Sequence, residues 1–526
     1  MEISGAEVEN DVAQGSNGSG EGSASRVFEV HNPADGTVVE TVPLDGPAEV
    51  EAAVARVRAN QPAWEEMGFK GRREHLYRLR DWLLDHSEEI ADLMQAETGK
   101  VRADAATEVI YLADLINFYG KHGRKYLAEE KVAAHSLPMK MKKLRVQYRP
   151  FPVVGVISPW NFPLILSLGD AVPALLAGCA VVVKPSELTP LGLRKVMKAW
   201  REEIGAPDVF EVVNGTGETG SALVDQVDFV QFTGSDRTGK KVMAQAAERL
   251  TPVSLELGGN DAMIVLESAK LDRAVNAAAW GGFLNTGQVC MSVERIFVAE
   301  PLYQEFVERL TREVEELRQG IDDAEFGSEI GAMTFAPQIE ICNEHIRDAK
   351  EKGAKVFTAG GNGQSDRGQW LGPTVISDAS AEMEVVKEES FGPVVAVMPV
   401  GSAQEAVQRA NDTRHGLTGY VFGKPSEAEA VARQLEVGAA CVNDVLINML
   451  APGVPMGGWK DSGIGFRHGE YGIKKFVRPE SLIINRFGQG PARDPMFFPY
   501  TSERRKPLVK LFRFLNARDW RRKLGK

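Results

Sequence analysis

The sequence predicts an α/β protein built around a doubly wound, largely parallel sheet. Between Val153 and Leu266 short apolar runs, VVGVIS, AVVVK, VFEVVN, FVQFTG and VSLEL, alternate with helix-length segments, the pattern of strands covered by helices on both faces. With 526 residues, 43% hydrophobic and 25% charged, the chain has the material for two or three domains. Ligands in such sheets sit at the carboxyl ends of the strands, so the residues just after each run are where chemistry is sought.

The flanking segments follow in order. Residues 1–26 are rich in Gly, Ser and acids and poor in large apolar groups, a composition that cannot offset the entropy of ordering and reads as a disordered tail. From Val27 the chain alternates, with Asp35-Gly36 between two β-rich runs, a hairpin signal. Residues 47–133 change period: Val50, Val54 and Val57, then Leu76, Leu79, Leu83 and Leu84, recur as on amphipathic helices. Around 143–153 a strand pattern of mixed polar and aromatic residues returns, suited to an exposed arm that pairs with a partner subunit.

Four strand ends carry unusual residues. ISPWNFP holds Asn161 between two aromatics and two prolines, where a stiff amide can donate to a developing oxyanion or simply close an Asx turn. In KPSE, Lys184 and Glu187 suit sugar hydroxyls, and an ordinary charge pair is the plain alternative. FTGSDRTG places Gly234 and Ser235 ahead of a helix whose free N–H groups suit a pyrophosphate. Two decoys lie nearby. Gly215, Gly217 and Gly220 spell GxGxxG in too short a unit for a full dinucleotide fingerprint, and Gly234 to Lys241 mimics a phosphate loop with Lys241 where a magnesium-binding Ser or Thr belongs. The first reads as a loop near the site.

The fourth end is Glu256, after Val253, Ser254 and Leu255 and before Gly258 and Gly259, which puts a carboxylate where a strand opens into a cleft. Cys290 follows Gly287 and Gln288, and a glycine-freed backbone can bring N–H groups to a reacting oxygen. A buried Cys is ordinarily an inert small hydrophobe and a strand-end Glu ordinarily solvated; their combination with the other ends singles them out.

A net charge of −12 argues against nucleic acid as the main partner of the body. Cys179, Cys290, Cys342 and Cys441 are widely spaced and form no zinc pattern with the eight histidines, so no metal is expected and a reducing cytoplasm fits. No signal peptide is visible. The longest apolar run, Ala171 to Val183, has 13 residues with Pro173 and Gly178 inside it, short of a bilayer span of about 20.

Taken in order, PWNFP, KPSE, FTGS, LELGG, GQVC, EESFGP and PMGGWKDSGIG resemble the signature series of the aldehyde dehydrogenase superfamily over roughly residues 27–485, with Glu256 and Cys290 34 positions apart. The resemblance implies a Rossmann-like cofactor domain (27–142 and 154–257), an α/β catalytic domain (258–460) and an oligomerisation arm (143–153 and 478–487); beyond the family's usual end lies a basic tail (488–526). It implies that an aldehyde is oxidised to a carboxylic acid. Cys290 is the implied nucleophile, Asn161 an oxyanion donor and Glu256 the base for thioester hydrolysis. The implied cofactor contacts are Ile157, Ser158, Pro159, Trp160, Lys184, Ser186, Glu187, Gly217, Gly234, Ser235, Gly239, Leu257, Glu389 and Phe391. NAD is the expected cofactor, because Glu187 repels a ribose phosphate, with NADP as the alternative. The expected assembly is a homodimer or homotetramer.

Within the superfamily the segments GQVCMSVERIFV and APGVPMGGWKDSGIGFRHGEYG look closest to a branch that includes bacterial succinate-semialdehyde dehydrogenases, although no arginine stands out to meet a second carboxylate. A coenzyme A-acylating relative and a non-catalytic one are alternatives, against which Glu256 and the retained Cys290 and Asn161 speak. Cys179 stands where many members have Asn, and is expected to change packing only. Asp170 stands where many have Lys, on a helix that faces the substrate tunnel in the family, and is expected to alter substrate preference. Asn448 to Gly458 would line the same tunnel. The last 23 residues, 504–526, carry ten Lys or Arg and one acid, with Leu508, Leu511, Phe512 and Leu515 at helical spacing. Such a helix fits either the acidic body of the protein or an anionic lipid surface.

Overall fold

The computed structural model describes residues 26–136, 138–322, 326–360, 367–490 and 497–524. Of the segment expected to be a disordered tail, 1–26, all but Arg26 lies outside the described residues.

Five parallel strands, β1 (Val153–Ile157), β2 (Ala180–Lys184), β3 (Phe210–Val212), β4 (Phe229–Thr233) and β5 (Val253–Glu256), form one sheet in the order β3-β2-β1-β4-β5. A short strand, Gly463–Ile464, closes the β5 edge antiparallel. β1, β2 and β4 are buried almost throughout, which is why they are rich in Val, Ile and Phe rather than strictly alternating. Because the order reverses between β1 and β4, their carboxyl ends splay apart and leave a crevice.

The apolar run from Ala171 is folded in half. Gly178, at φ +109°, ends helix α2 (Pro163–Ala177) and turns the chain into β2, a left-handed conformation that glycine adopts without strain. Cys179 beside it is fully buried and its thiol donates to the Phe476 carbonyl at 3.3 Å. The hairpin of Val27–His31 with Val38–Pro43 and the helices Pro47–Glu66, Gly68–Asp85, Ser87–Thr98 and α1 (Arg102–Tyr126) occupy the expected N-terminal stretch.

A second sheet of seven strands runs from Lys355–Thr358 at one edge to Ala439–Val442 at the other, with Val293–Ala299 and Asp261–Val265 near its centre. A third, antiparallel sheet joins Val477–Asn485, Lys142–Pro150 and Glu130–Val132. Its central strand stops at Pro150, and Val153 already opens β1, so the arm is shorter than 143–153 would suggest. The C-terminal helix, Ser502–Asn516, buries none of its residues. Among the described residues no helix is long and apolar enough to cross a membrane.

Candidate active site

The crevice at the strand ends is a cavity of about 880 Å³. Asn161, Glu256 and Cys290, from three distant segments, all line it. So do Ile157, Ser158, Pro159, Trp160, Lys184, Ser186, Glu187, Gly217, Gly234, Ser235, Leu257, Glu389 and Phe391. Gly239 is the exception: it lies behind the wall, where a Cβ would come within 2.6 Å of Leu257. It lets the helix α3 (Asp236–Ala247) approach and so positions Leu257.

Each strand end supplies a different capability. Ser235 caps α3 by accepting from the Thr238 N–H at 3.3 Å, and Arg237, Thr238 and Lys241 share the wall, so the helix start offers N–H groups and positive charge to an anion. The phosphate-loop mimic thus faces the cavity with Lys241 where the magnesium-binding Ser or Thr of a phosphate loop would stand. Gly217, from the GxGxxG pattern, begins a second helix, Gly217–Gln226, on the same wall. At the β2 end Lys184 holds Glu187 at 3.1 Å. Across the cavity, the rings of Trp160 and Phe391 meet edge to face at 5.5 Å.

The turn carrying Glu389 and Phe391 is tied down by the buried Glu294 and the partly buried Glu389. Glu294 accepts from the Ser390 and Phe391 N–H groups at 2.8 and 2.9 Å, and Glu389 accepts from the Gly259 N–H at 2.8 Å. A Cβ at Gly258 would stand 2.2 Å from the Glu389 carboxylate, so a larger residue there would push that side chain aside.

Three successive residues ahead of Cys290, Asn285, Thr286 and Gly287, have φ of +50°, +58° and +71°, a strained run for the first two. It is held by buried partners: Asp104 accepts the Asn285 N–H at 3.0 Å, and the Asn285 amide donates to the Asn161 carbonyl at 3.0 Å. The Asn161 side-chain amide in turn donates to the Gln288 carbonyl at 2.9 Å, which leaves its second hydrogen free on the wall it shares with Cys290.

Electrostatics at the three residues follow from burial. Glu256 is 3% exposed and its Oε1 has no partner; burial pushes its pKa up to about 7 against the pull of Arg467 and Lys475. The Cys290 thiol is pushed up to about 12, again by burial, and is protonated near neutrality. An unpartnered carboxylate that titrates near 7 is a competent proton acceptor.

Two further residues bear on the site: Arg467, which the sequence did not single out, and Asp170, which it did. Arg467 is buried in the wall of a smaller, adjoining cavity that also includes Cys290. Asp170, expected to face a substrate tunnel, points elsewhere: it is 1% exposed and binds Arg467 Nε and Lys475 Nζ, each at 2.9 Å. It is the neighbouring Ile165, Leu166 and Gly169 of α2 that line that cavity. Met449 and Met456, in the 448–458 segment, line it as well.

A parallel sheet with a dinucleotide-sized crevice, entered by a thiol, a carboxylate and an amide, defines a nicotinamide-dependent oxidoreductase that works on a carbonyl. The chain belongs to the aldehyde dehydrogenase family, whose model matches residues 21–482. It is 39% identical over 459 residues to a Mycolicibacterium smegmatis protein provisionally named succinate-semialdehyde dehydrogenase (NADP(+)), covering 86% of this chain and 87% of the relative. It is 38% identical over 476 residues to 4,4'-diapolycopene aldehyde oxidase of a Methylomonas species, covering 90% and 88%. The NAD+ complex of an aldehyde dehydrogenase from Bacillus cereus superposes with a TM-score of 0.83 at 34% identity, covering 88% of this chain and 93% of that one. The protein is an enzyme that oxidises an aldehyde to a carboxylic acid with NAD(P)+.

Proposed function

We propose that Cys290 is the nucleophile, Asn161 the oxyanion donor and Glu256 the general base of this reaction. The observation that carries the reading is that these three residues line one cavity together with the strand-end residues suited to a dinucleotide. Glu256 takes the thiol proton as sulfur bonds to the aldehyde carbon. The carbonyl oxygen becomes an oxyanion beside the free Asn161 hydrogen and the Cys290 main-chain N–H. The Ser235 end of α3, the Lys184 and Glu187 pair, and Glu389 with Phe391 would hold a nicotinamide dinucleotide, which would supply the hydride acceptor. The product on Cys290 is a thioester. Glu256, its proton passed to solvent, then draws a proton from water as that water attacks the thioester carbon, releasing the acid and the thiol.

Glu187 supports a preference for NAD over NADP, since a 2′-phosphate at the Lys184 end would meet its carboxylate. The exposed apolar residues of Val477–Asn485 support self-association along that strand, and the uncovered basic helix at the C-terminus supports contact with anionic lipid. Four free, separated thiols support a reducing compartment. The test of the central reading is reduction of NAD by purified protein across an aldehyde panel, with Cys290→Ser alongside. Turnover that vanishes in the variant while NAD still binds is the expected result; undiminished turnover in Cys290→Ser overturns the assignment. A Glu187→Gln variant should narrow the ratio of kcat/KM for NAD to that for NADP.

A further inference from the structure

Arg414 joins two segments that the proposed cofactor contacts set at different points along a dinucleotide. Its Nη1 lies 2.6 Å from Asp236 Oδ2 and its Nη2 lies 2.8 Å from Glu388 Oε2. Asp236 is the first residue of α3 and follows Ser235, while Glu388 precedes Glu389. Each partner of Arg414 is thus the chain neighbour of a residue that lines the cofactor cavity. The two segments belong to different sheets: α3 runs between β4 and β5, and the turn of Glu389 leads into Val394–Val400 of the seven-stranded sheet. Glu294 fixes that turn to its own sheet through the Ser390 and Phe391 N–H groups. Arg414 ties the same turn to α3.

The backbone that carries Arg414 is anchored beside Glu256. The Asp461 N–H donates to the Arg414 carbonyl at 2.9 Å, the Gly416 N–H to Ser462 Oγ at 2.9 Å, and the Leu257 N–H to the Ser462 carbonyl at 3.0 Å. Its guanidinium therefore projects from a fixed frame. Asp236 in turn needs a cation. A carboxylate in the first turn suits the helix dipole, but this helix start also offers its N–H groups to the cavity, and a bare carboxylate there would repel a pyrophosphate. Lys240 Nζ stands 3.8 Å from Asp236 and closer, at 3.2 Å, to Asp461, so Arg414 supplies most of the compensation. One planar guanidinium reaches both acids in a set geometry, which an ammonium on a flexible stem does not.

We propose that Arg414 is a positioning residue for the dinucleotide: it covers the Asp236 charge at the start of α3 and holds that start at a set distance from the Glu389 turn, so that pyrophosphate and nicotinamide ribose are gripped together. The inference rests on Ser235 and Glu389 being cofactor contacts. With the Arg414 side chain 40% exposed, each of its ion pairs is a modest one, worth about threefold in affinity, and the two together about tenfold.

The test is calorimetry of the full-length enzyme with NAD and with ADP, which keeps the pyrophosphate and lacks the nicotinamide ribose, together with KM for NAD and for the best aldehyde of the panel. Arg414→Ala should weaken NAD about tenfold and ADP about threefold. Adding Asp236→Asn should return ADP to its wild-type affinity and leave NAD about threefold weak, because the bare charge is gone while the Glu389 turn is still untied. Arg414→Lys, which keeps the charge and loses the fork, should hold ADP and weaken NAD about threefold; it is the deciding variant if Arg414→Ala does not fold. In all three, KM for NAD should rise and KM for the aldehyde should stay at the wild-type value. Unchanged NAD affinity in the deciding variant overturns the inference. So does a loss that moves NAD, ADP and the aldehyde alike, which marks a general disturbance of the fold. Glu389→Ala separates the two levels. NAD bound by that variant as tightly as by wild type overturns the cofactor contacts and the inference with them, whereas weakened NAD there beside an unaffected Arg414 variant overturns the inference alone.

Discussion

Lys100 Nζ lies 2.8 Å from the main-chain oxygen of Asn161. The same ammonium closes an ion pair with Glu108 at 2.7 Å, both side chains fully buried, and Glu108 accepts the first N–H groups of α2, from Leu164 and Ile165, at 3.0 and 3.1 Å. The proposed oxyanion donor is therefore held from beneath by a charge network that never touches substrate. Lys100→Met strands the Glu108 carboxylate and should cost about 3–5 kcal/mol, read as a large fall in Tm. Lys100→Met with Glu108→Gln removes the stranded charge and should regain part of that stability. In this double variant kcat should still be low, with the dissociation constant for NAD unchanged, because Asn161 has lost its anchor. Asn161→Ala is the reference, with an expected loss of about 10²–10³ in kcat.

The pKa of Glu256, near 7, sets a pH dependence whose sign is fixed. Below that value the carboxyl is protonated and cannot accept a proton, so kcat/KM should rise with pH through about 7 and level off above it. The thiol, pushed up to about 12, contributes no limb in this range. Stability runs the other way. A carboxyl whose folded pKa lies above its unfolded value binds protons more tightly when folded, so its ionisation destabilises the protein as pH rises from about 4.5 towards 7. Glu256→Gln should accordingly lose the activity limb and melt above the wild type at pH 8. A melting point at or below wild type there would contradict the burial argument.

The strand ends were legible because each is a local event: an apolar run, then a glycine or proline, then a polar residue within three or four positions. That suffices to nominate Asn161, Lys184, Gly234 and Glu256, and the run of seven motifs extends the reading to Cys290 and Glu389. What sequence could not show is pairing across distance. Lys100, Glu108 and Asp104 sit in or beside a helix that reads as ordinary amphipathic sequence, and their work depends on α2 and the 285–287 turn lying against it. Asp170 was noticed and misplaced, because its partners Arg467 and Lys475 lie about 300 residues further on and only packing reveals which face of α2 it occupies. The left-handed Asn285 and Thr286 gave no glycine signal; only Gly287 did. Gly239 matched a pattern for contact, and its packing against Leu257 shows only in the fold.

The edge strand Val477–Asn485 pairs on one side with Lys142–Pro150 and exposes Leu482, Ile483 and Ile484, at 39%, 63% and 40%. Exposed apolar residues along an unpaired strand edge invite a partner strand. Ile483→Lys, which places a charge in the middle of the three, should lower the mass measured by light scattering to that of a monomer, or leave an assembly that dissociates on dilution. An unchanged mass would move the interface to another surface.

The C-terminal helix, Ser502–Asn516, leaves its apolar residues uncovered. Val509, Leu511, Phe512, Phe514 and Leu515 are between 37% and 62% exposed, so the acidic body does not cover the apolar residues that this helix carries. Arg504, Arg505, Lys506, Lys510 and Arg513 stand among them, and Trp520 follows at 64% exposure. Cations interleaved with large apolar groups suit an anionic bilayer, where each basic side chain near the surface is worth about 1 kcal/mol and the apolar groups enter the headgroup boundary. Sedimentation with vesicles should therefore carry the full-length enzyme down when they contain phosphatidylserine and leave it in solution when they are pure phosphatidylcholine. Raising the salt to about 0.5 M should release it, because screening shortens the reach of the surface charge. A chain ended after Tyr500 should stay in solution throughout while oxidising a water-soluble aldehyde at the full-length rate, since no described residue beyond 500 lines either cavity. Equal sedimentation of the shortened chain would place the lipid contact elsewhere, and equal sedimentation on neutral vesicles would remove charge from the explanation.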